Sequence, residues 1–487
     1  MKSEESLKEK TAKGLFWGAM NNGVQQLLGF AFGIVMARLL VPEYFGLVAM
    51  ITVFSAIANT LQNSGFSTAL INEKEPKDSQ YSAVFWFNIA MGTAIYAVLF
   101  FCAPLISRYY HEPRLLWLSR YAFLSFVFSS FGVAQAAFLY KNLRAKELAK
   151  ANIVGVLVSS SVAVLMAWKG FTYWAIATQT NLFILISTLM RWHYSEWRPT
   201  MFWRGGIEFH FIRRTFPFSV KIMLTGILTQ VNNNVMNILL GRYFGSHDTG
   251  QYNQAYQWNF KGYSFVQNML MQVDQAVLVS LNDDHERQLT VLRKMVRFAA
   301  FISFPLMFGV GLVAQEFIVL ALGEVWRTSA SYLQIICVAG AVLPVSTLLS
   351  DLIVSRGRSD IFLCSTLALG ISQIVALLMV HPYGIRYMII GYVCLTVAWL
   401  FVWHFFVCRL TGYKLSMLVK DTLPFALAAL AVMTATHFAT HGISNMIVSL
   451  IARIAMAATL YYIIMKLAGA QILDDCMKFI TQKLRKR

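Results

Sequence analysis

Apolar runs of about 20 residues or more, separated by short polar loops, recur along this 487-residue chain. A helix of that length crosses the roughly 30 Å hydrocarbon core of a bilayer. Charged residues make up 13% of the sequence, about half of the roughly 25% that a soluble domain carries. The pattern argues against a soluble globular protein and predicts an all-α integral membrane protein.

The runs predict about fourteen transmembrane helices. They lie at 14–39, 45–70, 81–107, 116–140, 151–168, 172–190, 215–241, 251–281, 298–316, 330–355, 361–380, 387–408, 421–438 and 446–465. The longest loop, 194–214, has about twenty residues. No loop is therefore long enough to fold as a soluble catalytic domain.

The position of the longest loop predicts the domain organisation. We expect an N-terminal six-helix bundle at 1–193, a cytoplasmic linker at 194–214 and a C-terminal six-helix bundle at 215–410. Two extra helices and a basic cytoplasmic tail follow at 411–487.

Short sequence patterns repeat between the two predicted bundles. Arg38 precedes Gly46 by eight residues, and Arg242 precedes Gly250 by eight residues, at the same turn of each half. Repeated halves of like orientation are typical of transporters and place the substrate path between them. We therefore expect two bundles related by a pseudo-twofold axis.

The distribution of Lys and Arg predicts the orientation in the membrane. With the N-terminus inside, the cytoplasmic segments collect 29 basic residues, and the opposite loops hold only Arg38, Arg108, Arg114, Lys169, Arg242, Arg327 and Arg386. Basic residues accumulate on the cytoplasmic side of membrane proteins. The prediction is a multi-pass protein with both termini cytoplasmic, whose net charge of +18 faces anionic membrane lipids and not nucleic acid.

Amide side chains concentrate on the first, second, seventh and eighth predicted helices, which occupy corresponding places in the two halves. The candidates for substrate contact are Asn22, Gln25, Asn59, Asn232, Asn233, Gln257 and Asn268. Amides also hold membrane helices together, each contributing about 0.6 kcal/mol. Because so many lie on corresponding helices, we interpret the set as the lining of a hydrated cavity.

Charged residues within the predicted helices are more discriminating. A Lys or Arg at the centre of a membrane helix costs at least about 2.5 kcal/mol unless it faces water or a partner. Lys261 lies deepest, and Lys221 and Arg120 are further candidates nearer to helix ends. Asp274 and Asp351 are candidate counter-ions or coupling-cation sites.

Two further basic residues have explanations that need no substrate. Arg453 either forms a structural ion pair or lines a lateral groove, and Arg242 is explained by anchoring a helix end at the membrane interface.

A cationic, amide-rich cavity suits an anionic ligand that carries many hydroxyl groups. Ammonium groups attract phosphate, and amides donate to and accept from sugars. We see no hydrolytic triad, metal-ligand motif or phosphate loop. The sequence therefore predicts a transporter with no catalytic residues, metal or cofactor, and a pyrophosphate-linked glycan matches both properties of the cavity.

Several stretches together resemble the Wzx-type polysaccharide exporters, especially the colanic-acid exporter branch. They include ARLLVPEYFGLVAM, APLISRYYHEPRL, FLYKNLRAKELAKANI, FGSHDTGQYNQAYQW and FPLMFGVGLVAQEFIVLALGEVW. The superfamily also holds MATE drug exporters and MurJ-type lipid flippases.

The resemblance implies a twelve-helix core with two added helices. It also implies alternating access on undecaprenyl-pyrophosphate-linked oligosaccharides in the bacterial inner membrane, with a polysaccharide polymerase and glycosyltransferases as candidate partners. Two alternatives stay open. A MATE-like cation-coupled drug or metabolite exporter would favour acids in its cavity, and a membrane-embedded glycan polymerase or ligase would favour clustered catalytic residues.

Overall fold

The computed structural model describes residues 7–62, 70–71, 73, 76–201, 209–271, 274–281, 284–469 and 472–473, with side chains except at 7–15, 19, 209–222, 225 and 274–276. Every regular element in these ranges is helical. In chain order the α-helices are α1 (Leu7–Leu39), α2 (Pro42–Gln62), α3 (Asp78–Tyr110), α4 (Leu115–Ala122), α5 (Leu124–Ser130), α6 (Val133–Lys141), α7 (Ala145–Trp168), α8 (Thr172–Tyr194), α9 (Phe209–Tyr243), α10 (Gly245–Met271), α11 (Asp274–Ser280), α12 (His285–Leu322), α13 (Arg327–Ser355), α14 (Ser359–Val380), α15 (Ile385–Thr411), α16 (Leu415–Thr440) and α17 (Met446–Leu467). The all-α membrane fold predicted from the sequence is confirmed.

Each of the fourteen predicted segments coincides with a helix or a broken helix. Within the described ranges, nine helices are long and apolar enough to cross a membrane, or ten if α4–α6, bent by 42°, counts as one span. The helices outside that set are α1, α8, α9, α10 and the short α11. Three of them, α1, α9 and α10, are predicted helices that carry the candidate amides.

The predicted second and eighth helices, 45–70 and 251–281, contain residues outside the described ranges, so the end of the second and the continuity of the eighth stay predictions. The predicted boundaries of the ninth helix are wrong. Helix α12 begins at His285 and ends at Leu322, beyond both ends of the predicted 298–316. Its polar first turns are amphipathic and bury Leu292 and Val296 completely, so hydropathy alone underestimates its length.

The chain forms two compact units, Met1–Gly250 and Gln251–Arg487. In the first unit α1 packs on α7, α7 on α8, and α9 on α2. One apolar core of this unit includes the fully buried Leu47, Leu115 and Phe123. The bundle boundaries predicted from the sequence stay a prediction.

Helix α13 lies at the centre of the second unit. It packs on α12 and α15, and 72% of the residues in its most apolar 18-residue stretch are buried. The contact is close at Gly340, where an added Cβ would lie 2.3 Å from Oδ1 of Asn259 on α10. The two extra helices, α16 and α17, both pack on α12.

Candidate functional site

The two glycines of the repeated pattern contact each other's helices in the first unit. A Cβ added at Gly46 would lie 1.7 Å from the carbonyl oxygen of Ser246, and one added at Gly250 would lie 1.9 Å from that of Pro42. Real Cβ atoms essentially never come closer than 3.0 Å to such atoms. Only glycine therefore permits this crossing of α2 and the start of α10, which we call the glycine junction.

Polar contacts surround the glycine junction. Arg114 pairs with Glu43 at 2.6 Å, which ties the start of α2 to the α3–α4 loop. Arg114 also pairs with Glu112 at 2.8 Å, and its hydrogen bonds lower the pKa of Glu112. Arg242 donates to the carbonyl of Tyr109, and its Nη1 lies 2.7 Å from Nδ1 of His111. These contacts hold Arg242 against the end of α3.

Three predicted site residues form a stripe on α10. Gln257 and Asn268 are exposed and Lys261 is half-buried, with its Nζ 4.3 Å from the ring centroid of Trp258. Spacings of four and seven residues place their side chains on one helix face. Gly250, seven residues before Gln257, lies on the same face. We call these three residues the Lys261 stripe.

The candidates on α1 and α9 are less uniform. Asn22 is exposed, and half-buried Gln25 donates to Asn21 at 2.8 Å on the same helix. A Cβ added at Gly18 or Gly29 would meet nothing within 4 Å, so this face of α1 borders open space.

On α9, Asn233 is exposed and Asn232 is half-buried. Lys221 and Asp274 begin or lie within helices, but their side chains are outside the described residues.

Asn59 lines a pocket inside the first unit. The pocket has a volume of about 260 Å³ and lies between α2, α5 and α8. Its polar lining includes Thr52, Ser55, Ser129 and Thr180. Asn59 lies thirteen residues from Gly46 and on a different face of α2. The structure therefore places Asn59 away from the face that forms the glycine junction.

Arg120 packs against aromatic rings. Its guanidinium carbon lies 4.1 Å from the ring centroid of Phe100 and 4.9 Å from that of Trp117. Trp117 is 62% exposed. Cation–π contacts of this kind stabilise an arginine without any substrate, so Arg120 has a structural explanation.

A largely apolar pocket of about 360 Å³ lies between α12, α16 and α17 in the second unit. Pro305, Gly309, Met433, Ala457 and Tyr461 are among its lining residues. Arg453 also lines this pocket, and its guanidinium forms an ion pair. Both roles considered for this residue, structural pairing and lining a groove, are therefore compatible with its position.

The partner of Arg453 is Glu316, at 2.5 Å, and each side chain is only 11% exposed. Arg453 also donates to Thr440 and to the carbonyl of Leu312. The sequence analysis missed Glu316 because it placed the end of the helix at that residue. The continuous apolar stretch up to Leu322 was the signal that could have placed this acid inside the helix.

A second ion cluster joins the starts of α12 and α16. The side chain of Asp421 is completely buried and pairs with Arg293 at 2.8 Å and with Arg297 at 2.6 Å. The Tyr413 hydroxyl donates to Asp421 at 3.0 Å, and burial, followed by the nearby carboxylate, raises the pKa of Tyr413. The sequence analysis also missed Asp421, which begins its predicted thirteenth helix.

Asp351, the remaining predicted acid, is half-buried on α13.

Residues 35–331 match the family described as "Polysaccharide biosynthesis protein". The lipopolysaccharide biosynthesis protein WzxC of Escherichia coli (strain K12) is 25% identical over 358 residues, which covers 73% of this chain and 72% of WzxC.

Two solved structures share the fold. The lipid II flippase MurJ in an inward closed conformation has a TM-score of 0.72 and 14% identity, and the match covers 94% of this chain and 100% of MurJ. An inward-facing MATE multidrug resistance transporter of the MOP superfamily has a TM-score of 0.65 and 16% identity, and the match covers 81% of this chain and 96% of that transporter. With more than half of its length matched, the chain belongs to the family described as polysaccharide biosynthesis proteins.

Proposed function

We propose that this protein moves undecaprenyl-pyrophosphate-linked oligosaccharides across the bacterial inner membrane by alternating access. The Lys261 stripe is the observation that carries the proposal. It combines a half-buried cation with two exposed amides on one face of α10. A cation within a membrane helix is costly unless water, a partner such as the Trp258 ring or an anionic ligand faces it, and amides bind sugar hydroxyls.

The apolar pocket between α12, α16 and α17 supports a lipid-linked cargo. Its lining is almost entirely hydrocarbon, with Arg453 as the charged exception. A polyprenyl chain needs an apolar surface of this kind, because contact of its hydrocarbon with water is unfavourable. The pocket would hold part of the chain while the saccharide passes along the Lys261 stripe.

The glycine junction supports alternating access. Backbones packed at this distance close a helix crossing completely, and small residues are typical of close helix contacts in membranes. The junction would close one end of the substrate path and separate when the path opens to that side. In this proposal both termini are cytoplasmic, and a polymerase and glycosyltransferases act on the same glycan.

The remaining predicted residues belong to the proposal with different support. Asn22, Gln25, Asn232 and Asn233 lie on α1 and α9 of the first unit and are proposed as further amide contacts for the saccharide. Arg120 and Asn59 have other surroundings and are the weakest members. Lys221, Asp274 and Asp351 keep their proposed roles as a second cation and as counter-ion or coupling groups.

The test is movement of a fluorescent undecaprenyl-pyrophosphate-linked oligosaccharide in proteoliposomes, measured with a membrane-impermeant quencher. We expect Lys261→Ala to lower the rate at least about tenfold, since it removes a charged contact of the kind that contributes about 1.5–3 kcal/mol. Lys466→Ala is the matched control, because Lys466 is exposed at the end of α17. A wild-type rate for Lys261→Ala would refute the role of the stripe.

The same vesicles test the alternatives. A MATE-like exporter would move cationic drugs along a proton or sodium gradient and leave the lipid-linked oligosaccharide in place. A polymerase or ligase would lengthen or transfer the glycan, which gel analysis of the products would detect.

A further inference from the structure

The cluster around Asp421 contains more positive than negative charge. Asp421 accepts from Nε and Nη2 of Arg293 and from Nε of Arg297, at distances of 2.6–3.1 Å. Over the ranges that the structure describes, it is the one carboxylate within ion-pair distance of either arginine. Two guanidinium groups against one carboxylate leave one positive charge without an acidic partner there.

The two arginines have N–H donors that the contact with Asp421 does not use. Arg297 uses only its Nε in this contact, and its side chain is 39% exposed; that of Arg293 is 29% exposed. A guanidinium presents five N–H donors in a planar fork that matches the oxygens of a phosphate. Asp421, whose side chain is completely buried, accepts from the Nε of both arginines and from Nη2 of Arg293. The arrangement therefore suits a phosphate-type anion.

The cluster and the apolar pocket share the same two helices. Pro305, which lines the pocket, follows Arg297 by eight residues, or about 12 Å along α12. Phe301 and Phe425 pack against each other between the two sites, with ring centroids 5.9 Å apart. An amphiphile with an anionic head and a long hydrocarbon chain would therefore satisfy both sites, whereas a soluble anion would satisfy only the cluster.

We propose that Arg293 and Arg297 form a docking site for the pyrophosphate of a polyprenyl-linked saccharide, with its chain directed along α12 towards the apolar pocket. The inference rests on the proposed function and adds to it a second anion site, distinct from the Lys261 stripe. Asp421 is a positioning residue, since it orients the two arginines and does not contact the ligand.

The test measures binding of undecaprenyl pyrophosphate to the full chain in nanodiscs of phosphatidylcholine. We expect Arg297→Gln to weaken binding about tenfold, because it removes a charged double contact. Lys420→Gln is the matched control: Lys420 is exposed, adjoins Asp421 and carries the same charge. We expect its affinity to stay within about twofold of wild type. Arg297→Lys keeps the charge beside Asp421 but loses the fork, and should fold normally and bind with intermediate affinity.

Three outcomes would overturn the docking site. One is unchanged affinity in Arg297→Gln, and another is an equal loss in Lys420→Gln, which would indicate general attraction by basic residues. The third is equal competition by phosphatidylglycerol, which would indicate an ordinary lipid contact.

The two proposals fail separately. If wild-type protein binds undecaprenyl pyrophosphate through Arg297 but moves no lipid-linked oligosaccharide, the transport function is wrong and the docking site stands. If Lys261→Ala blocks movement while Arg297→Gln changes neither binding nor movement, the docking site alone is wrong.

Discussion

Replacing Gly46 by alanine should open the glycine junction. The added Cβ would lie 1.7 Å from the carbonyl oxygen of Ser246, so the helices must separate by about 1.3 Å to reach the 3.0 Å limit. A backbone atom cannot avoid the methyl group by changing rotamer. Overpacking of this kind costs about 1–3 kcal/mol, although alanine itself favours a helix by about 1 kcal/mol over glycine.

The expected result is a population shift towards the state in which the junction is separated. A free-energy change of about 1–3 kcal/mol alters such an equilibrium about 5- to 150-fold. Accessibility of a cysteine placed at Ser246, measured with an impermeant maleimide, would report the separation. Transport of lipid-linked oligosaccharide in proteoliposomes should fall with it, because the closed state becomes rare.

Gly33→Ala supplies the matched control for this substitution. Nothing lies within 4 Å of a Cβ added at Gly33, so only the gain in helix propensity should be seen. If Gly46→Ala leaves both cysteine labelling and transport as they are in Gly33→Ala, close packing at the junction does not control the path.

Two other predictions concern ion pairs. Arg453→Leu should destabilise the protein by about 3–5 kcal/mol, because it leaves the buried Glu316 carboxylate uncompensated. In thermal unfolding, the double variant Glu316→Leu, Arg453→Leu should recover most of that loss. A double variant as unstable as the single one would contradict a coupled pair. Arg114 lowers the pKa of Glu112, so the stabilisation from this pair should be complete above the ordinary pKa of 4.5 and disappear as the pH falls through the lowered value. The melting temperatures of wild type and Glu112→Gln should therefore converge at low pH. A constant difference in melting temperature across that range would exclude the ion pair as its cause.

The helices were predictable because the membrane imposes a minimum length on each apolar run. The fourteen predicted segments all correspond to helical structure, including the fourth, where α4–α6 form a helical stretch bent by 42°. Errors arose where the signal was not hydropathy. The first turns of α12 are amphipathic, and Leu292 and Val296 become buried only through tertiary packing.

The candidate site was predictable only where local spacing was sufficient. Gln257, Lys261 and Asn268 share a helix face because of their spacing, and the structure places them there. The repeat identified Gly46 and Gly250 as equivalent but could not show that they touch, because about 200 residues separate them. Glu316 and Asp421 stood at predicted helix ends, and spacing could not reveal their ion pairs, because their arginine partners are more than 120 residues away.

Gly250 and the Lys261 stripe lie on one face of a single helix, so in the proposed function closure of the junction would act on the cargo contact through α10. Lys261 follows Gly250 by eleven residues, or about 16 Å along α10. If α10 tilts by about 10° around the junction, the Lys261 Cα moves by about 3 Å, which is enough to make or break a hydrogen bond. Separation of two glycine backbones would therefore change what the ammonium group faces without any rearrangement inside α10. A rigid helix of this length can thus couple opening of the path to release of an anionic cargo.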